Sequence, residues 1–442
     1  MSNNYGNNLK LSSGLLLLVV LWDVSEVAGH FDSSWLSITS ESQQVARSSW
    51  WDRSAKRITQ AETHRVRSDL PPLVTRTTAE GIDRLWLSID DGLGKLRPRS
   101  RGLQQALFFS THEDLAETMR SQFAVDAPSG AFAFFSPLGQ GIAVCAEDTP
   151  RPVAARGLSA AVGGEYLRLS CGADLAPVLH AGVLDYLARL DANGTGGGIG
   201  EAGAAVVRKS VASATALSMF ELMSMTTQEW NDAIAKDSSG ALREQAASVV
   251  RFLTRSSGST AMGYFQNFLR QVAEGTQSFE AFSAVYGLRD DRGWEAFDKQ
   301  WRSFAKSEKS SSVETLRERL AYFGEGMRML DGQGGRPADF EALVVALQDR
   351  KFASPIAWGP GFSKVDSTNS SVFTPIDPYE QATKNPPKRS KSCRFEFEAP
   401  PKELPDRPAS IVTVDCPVDR VKLTWVKTRP EPEALWVWEI ER

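Results

Sequence analysis

The sequence predicts an α+β fold, and three features of the 442-residue chain indicate this class. Strand-like apolar runs occur within residues 64–145, and residues 156–306 carry apolar side chains mostly at helical spacing. Residues 393–442 contain short segments that alternate or run apolar. We therefore expect a small N-terminal α/β part, a mostly helical body, a helical extension and a small C-terminal β module.

The composition bounds the possible partners. Hydrophobic residues make up 42% of the chain, which is enough to supply a core. The net charge of −4 gives no overall positive field of the kind that nucleic-acid-binding proteins use. We therefore expect no nucleic-acid partner.

The first residues resemble an export signal. Lys10 precedes the apolar run at residues 14–22, which is too short for a bilayer span of about 20 residues but suits the core of a signal peptide. Small residues at Val27-Ala28-Gly29 offer a cleavage site, so we predict a signal peptide at residues 1–29 and an exported protein, periplasmic or extracellular. If the run is instead a buried strand or helix, the protein is cytoplasmic. No other run reaches membrane length, so we expect no stable membrane span in the mature chain.

The N-terminal part is predicted to alternate strands and helices. A helix follows Pro71-Pro72, because proline is well suited to a first helical turn and apolar residues then recur at helical spacing. A second helix is capped by Ser110 or Thr111, with acidic residues in its first turn. The strands are expected at residues 64–67, 107–109, 131–135 and 141–145.

The rest of the chain is predicted from changes in periodicity. Helices are expected at residues 154–170 and 176–190, followed by a glycine-rich loop and further helices up to about residue 306. Beyond the body we expect a two-helix extension at residues 310–353, a linker at 354–392 and the β module at 393–442. Cys393 and Cys416 could pair in an exported protein, or could remain free thiols.

Three stretches of the body carry a family resemblance. They read PVLHAGVLDY from Pro177, ASVVRFL from Ala247 and AFSAVYG from Ala281, and Trp294 and Trp301 follow them in order. Residues 64–306 resemble the peptidase-MA-like, or gluzincin, domains of uncharacterised bacterial proteins. The resemblance implies a zinc-metallopeptidase scaffold in which a helix with a His-Glu-x-x-His motif precedes a helix with a further Glu ligand.

The residues that such chemistry needs are missing at the aligned positions. Two histidines four apart on a helix bind one zinc ion, and the neighbouring Glu activates the metal-bound water. The alignment places Ala161 at the first His, Val162 at the catalytic Glu, Glu165 at the second His and Ala181 at the downstream Glu. We therefore predict no catalytic residues, no metal and no cofactor at these degenerate positions.

Two interpretations of the remaining polar residues stay open. Glu165, His180 and Asp185 could line the former cleft as a rebuilt site with one His and two carboxylates. Alternatively, Glu165 and Asp185 are surface charges on amphipathic helices.

Three functions follow from these interpretations. The first is a catalytically degenerate pseudoenzyme with a binding or scaffold role, whose unknown partner could be a protein or a peptide segment. The second is a metal-dependent peptidase or hydrolase with a rebuilt site. The third is a structural or assembly component of an exported complex.

Overall fold

The structure is a computed structural model. It describes residues 57–60, 62–68, 70, 72–96, 98, 103–123, 133–136, 141–145, 151–172, 174–189, 198–213, 216–237, 240–256, 258–354, 365–375, 394–415, 422–427 and 436–441. The predicted signal peptide at residues 1–29 and the cysteines Cys393 and Cys416 lie outside this part of the chain.

The N-terminal part contains a five-stranded sheet with the strand order β1-β2-β3-β5-β4. Its central strands β2, β3 and β5 are parallel, and the edge strands β1 and β4 are antiparallel to their neighbours. The strands are β1 (Arg57–Gln60), β2 (His64–Ser68), β3 (Gln104–Phe109), β4 (Ala133–Ser136) and β5 (Gly141–Cys145). The α+β class predicted from the sequence is confirmed.

The predicted N-terminal boundary of the body at residue 64 is too late. Strand β1 pairs with β2 from Arg57 opposite Ser68 to Gln60 opposite Arg65, so it belongs to the sheet. Its sequence, RITQ, has one apolar residue and so lacks the alternation that marks a half-buried strand. Edge strands tolerate such polar sequences because one side of the strand has no partner.

A helix follows each of the three parallel strands. Helix α1 (Pro72–Gly92) follows β2, helix α2 (His112–Phe123) follows β3, and helix α3 (Arg151–Cys171) follows β5. The hydroxyl of Thr111 accepts a hydrogen bond from the backbone N–H of Asp114 at 3.2 Å, which confirms the predicted cap of α2.

The body continues as eight helices in the described residues. They are α4 (Pro177–Ala188), α5 (Glu201–Ala212), α6 (Met219–Ser224), α7 (Thr227–Lys236), α8 (Ala241–Arg255), α9 (Ser259–Ala273), α10 (Ser278–Tyr286) and α11 (Asp291–Ser307). Helices α3, α4, α8 and α9 pack together and share one hydrophobic core with the sheet.

The C-terminal part has a second core. Helices α12 (Ser312–Gly332) and α13 (Phe340–Asp349) pack on a four-stranded antiparallel sheet of order β6-β7-β8-β9. These strands are β6 (Arg394–Glu398), β7 (Ser410–Val414), β8 (Lys422–Lys427) and β9 (Trp436–Glu441). The predicted extension and the predicted β module therefore share one core. Neither segment alone indicates this, because each carries only one face of the core.

The predicted linker also contributes to this core. Residues 365–375 lie against α12, with Val365 and Val372 buried and the ring of Phe373 stacked on Phe323 at 6.1 Å. The segment contains a 3-10 helix at Ser370–Phe373. Its Ser- and Asn-rich composition predicts a linker, but a few apolar side chains are enough to anchor an irregular segment.

Polar contacts join the two cores. Arg156 of α3 binds Glu314 of α12 at 2.6 Å, and Arg319 of α12 binds Glu201 of α5 at 2.7 Å. Among the described helices, none combines the length and the apolar character that crossing a bilayer requires.

Candidate functional site

The degenerate positions on helix α3 lie inside the protein. Ala161, Val162 and Glu165 are each fully buried, and small or apolar residues surround them on the same helix. From Arg156 to Cys171 nearly every residue of α3 is buried, which is typical of a helix in the core. The side chains at the first two motif positions are thus hydrocarbon in a packed core and offer no atom that could bind a metal or activate water.

Glu165 is held by a residue from the sheet. Its Oε2 lies 2.7 Å from Nε2 of His64, the first residue of β2, and both side chains are fully buried. Nδ1 of His64 lies 2.8 Å from the hydroxyl of Thr63, which in turn contacts Asp83 of α1. Asp83 also accepts the backbone N–H groups of Glu62 at 2.8 Å and Thr63 at 3.0 Å.

The hydrogen-bond chain fixes how protons are placed on His64. An aspartate oxygen only accepts hydrogen bonds, so the single hydroxyl proton of Thr63 goes to Asp83. The hydroxyl oxygen must then accept from Nδ1–H of His64. Nε2 of His64 then faces Oε2 of Glu165.

Aromatic side chains enclose this network. The ring of Trp86 meets His64 edge-on at 5.4 Å and Tyr166 edge-on at 5.1 Å. The hydroxyl of Tyr166 donates to Asp90 and accepts the backbone N–H of Leu96 at 3.1 Å. Burial, with the carboxylate of Asp90 adding to it, raises the pKa of Tyr166, so its hydroxyl stays protonated and acts as a donor.

Asp185 lies in a different cluster of charges. It accepts two hydrogen bonds from Arg189, at 2.8 and 3.0 Å, and lies 3.6 Å from Arg251. Arg189 also reaches Glu244 at 3.3 Å, and Arg251 donates to Glu308 at 2.8 Å. Burial opposes the charge of Arg189, but Asp185 and Glu244 outweigh that effect and raise its pKa. This cluster ties α4 to α8 and to the residue that follows α11.

His180 and Ala181 both lie on α4, and both are partly buried. Loss of water around the imidazole lowers the pKa of His180 to about 4, so the ring is neutral at pH 7. Ala181 packs against the core of the body.

The candidate positions on α3 and α4 do not face one another. A Cβ at Gly163 of α3 would lie 2.5 Å from Leu187 of α4, so Gly163 marks the side of α3 that meets α4. Successive residues of an α-helix are rotated by about 100° around its axis. Ala161 and Glu165 lie two positions before and after Gly163, so they point to roughly the opposite side of α3. There Glu165 meets His64 instead.

The rebuilt site proposed from the sequence is not assembled. Glu165 pairs with His64, and Asp185 pairs with Arg189 and Arg251. The described residues include Glu165, His180 and Asp185. They contain no group of three or more His, Cys, Asp or Glu side chains that could hold a metal ion. The alternative that Glu165 and Asp185 are surface charges is also wrong, since both are buried.

The role of His64 was not predicted from the sequence. The clue is the two-residue period of β2, which places His64, Val66 and Ser68 on the same buried face. A histidine in line with a core valine is buried and needs a polar partner. The partner lies 101 residues further along the chain, which no local pattern reveals.

The chain has no match among protein-family models, curated proteins or solved structures.

Proposed function

We propose that this protein is a catalytically degenerate, metallopeptidase-like protein that acts by binding, as a scaffold or adaptor. The observation that carries the absence of catalysis is the packing of helix α3. Ala161 and Val162 stand in a closed apolar core, and Glu165 is engaged with His64. The metallopeptidase likeness rests on the sequence resemblance alone, because Ala161 and Glu165 face away from α4.

The chemistry of zinc peptidases supports the same conclusion. Their mechanism needs three protein ligands, such as two neutral imidazoles and a carboxylate, together with an open coordination position and a nearby base. The aligned positions supply two alanines, a valine and a glutamate that is already hydrogen-bonded. Gaining a ligand set there would require several substitutions together with an opening in the core.

A metal-dependent hydrolase built on Glu165, His180 and Asp185 is less well supported. Asp185 accepts from Arg189, and two cationic side chains against one carboxylate disfavour the approach of a metal cation. Neutral His180 keeps an unprotonated nitrogen, but a single imidazole gives weak zinc affinity.

The assembly role in an exported complex is a special case of the binding role, and it rests on the apolar run at residues 14–22.

Metal content and hydrolysis test the proposal. We expect the full chain, purified without chelator, to hold no stoichiometric zinc by elemental mass spectrometry. We also expect it to cleave no member of a broad peptide library, with or without added zinc. One tight zinc per chain that is lost in both His180→Gln and Asp185→Asn would contradict the proposal and support the rebuilt hydrolase.

A further inference from the structure

A groove lies in the C-terminal part of the protein. It forms where the end of α12 and the loop after it meet the end of β6 and the loop between β6 and β7. The groove has a volume of about 330 Å³. Its lining is mixed, and its apolar residues include Met327, Phe397, Pro337, Pro400, Pro405 and Pro408.

The two sides of the groove are held together. Arg336 donates to Asp331 of α12 at 2.6 Å and to the backbone carbonyl of Asp406 in the β6–β7 loop at 2.8 Å. On the same loop, the carbonyl of Ala409 accepts the indole N–H of Trp425 at 2.9 Å. The groove is therefore shaped before any ligand binds, and pre-formed sites lose less entropy on binding.

The charges in the groove are unbalanced. Asp331 is already paired with Arg336. Arg407 is partly buried in the lining, and its guanidinium contacts the hydroxyls of Ser410 and Thr424, which are neutral. No carboxylate in the described part of the chain pairs with it, and its Nε has no hydrogen-bond partner there. A partly buried guanidinium without a counter-charge favours an incoming anion.

We propose that this groove binds an extended peptide segment of a partner protein in which a carboxylate lies next to an apolar side chain. The apolar side chain packs over Met327 and Phe397, and the carboxylate pairs with Arg407. Prolines offer no backbone N–H groups, so side-chain contacts select the segment.

This proposal is independent of the degenerate site, because the groove and helix α3 lie in different cores. The binding role could hold with another surface as the contact, and the groove could bind a peptide even if the body proved catalytic. The experiments for the two proposals use different readouts, so either can fail alone.

The test measures peptide binding to the full chain by fluorescence anisotropy. The probes are fluorescein-labelled octapeptides with adjacent central leucine and glutamate residues, and matched octapeptides with glutamine in place of glutamate. We expect the glutamate peptides to bind at least about tenfold more tightly, which is the effect of one charge-assisted hydrogen bond. Equal affinity for the two sets, or no binding of either, would overturn the proposal.

Variants locate the binding. Ala399 is an exposed residue of the groove, so Ala399→Trp fills it with little cost to folding, and we expect at least about tenfold weaker binding. Ala284→Trp, on an exposed position of α10, is the matched control and should bind as the unmodified chain does. Arg407→Gln should bind both peptide sets equally. Unchanged binding in Ala399→Trp, with its thermal unfolding also unchanged, would place the peptide elsewhere and refute the groove.

Discussion

The indole of Trp438 in strand β9 lies against Gly324 of helix α12, where any side chain would collide with it. A Cβ on Gly324 would lie 2.5 Å from Cγ of Trp438. The indole N–H also donates to Glu325 of the same helix at 2.8 Å, and Trp438 is fully buried. The sheet and the helix are thus fitted to each other through one glycine.

Replacing Gly324 by alanine should weaken the C-terminal core. The added methyl group would force the indole or the helix to shift, and overpacking of this kind costs roughly 1–3 kcal/mol. Urea unfolding followed by tryptophan fluorescence measures the loss.

Gly263→Ala provides the matched control. Gly263 is an exposed position in α9 with no atom near its missing Cβ, so alanine should stabilise that helix by roughly 0.5–1 kcal/mol. If both variants changed stability in the same direction, the close fit between Gly324 and Trp438 would not be the cause.

The buried pair of His64 and Glu165 should behave as one unit. Glu165→Leu leaves an imidazole without its partner, and His64→Phe leaves a buried carboxylate unpaired. Each single variant should lose about 3–5 kcal/mol of unfolding free energy, while the double variant should lie closer to the original protein. A double-mutant cycle by urea unfolding measures this coupling.

The control is an exposed pair on helix α1. Arg76 and Glu80 are bonded at 3.0 Å, but their side chains are 74% and 51% exposed. Arg76→Ala should change stability by no more than about 1 kcal/mol. Losses at His64 and Glu165 that simply add in the double variant would show that the pair is not coupled.

The elements that sequence could predict are those whose signal is local. The apolar run of β5 and the cap at Thr111 depend on a few consecutive residues, and both occur as expected. Strand β1 could not be predicted, because a polar edge strand is recognised only by the neighbour it pairs with. The same limit applied to residues 365–375, whose apolar side chains gain meaning only against α12.

The candidate site was partly predictable for a similar reason. That Ala161 and Val162 cannot bind a metal follows from their identity. The surroundings of Glu165 do not follow from residue identity. Its partner His64 is distant in sequence, and the two meet only when β2 packs against α3. Asp185 has Arg189 four residues later, an ion-pair spacing on a helix that was visible in the sequence.

Glu318 of α12 should make stability depend on pH. Burial raises its pKa to about 8, although Arg189 nearby acts in the opposite direction. The ordinary pKa of this side chain is about 4.5. Between about pH 4.5 and pH 8, the folded state therefore keeps a proton that the unfolded state has released. This contribution is complete below about pH 4.5 and is lost as pH rises through 8, by up to about 1.4 kcal/mol per pH unit.

Glu318→Gln should remove that dependence, as measured by urea unfolding between pH 4 and 9. Glu314 provides a contrast on the same helix. Burial acts to raise its pKa, but Arg156 and Arg317 outweigh burial and lower it, so its contribution is lost as pH falls. A Glu318→Gln protein with the same pH profile as the unmodified chain would contradict the assignment.

His180 should act in the opposite direction to Glu318. Its pKa is lowered from an ordinary value of about 6.5 to about 4, so the unfolded state gains a proton before the folded state does. The stability it contributes is present above pH 6.5 and is lost as pH falls towards 4. His180→Gln should therefore be less sensitive to acid than the unmodified chain over this range, whereas Glu318→Gln changes the profile with the opposite sign.

Adding zinc at pH 7 tests whether His180 is a metal ligand. A neutral imidazole in a metal site would give zinc-dependent stabilisation that His180→Gln lacks. We expect equal responses to zinc in the two proteins, and a selective response of the unmodified chain would mean that His180 is a ligand after all.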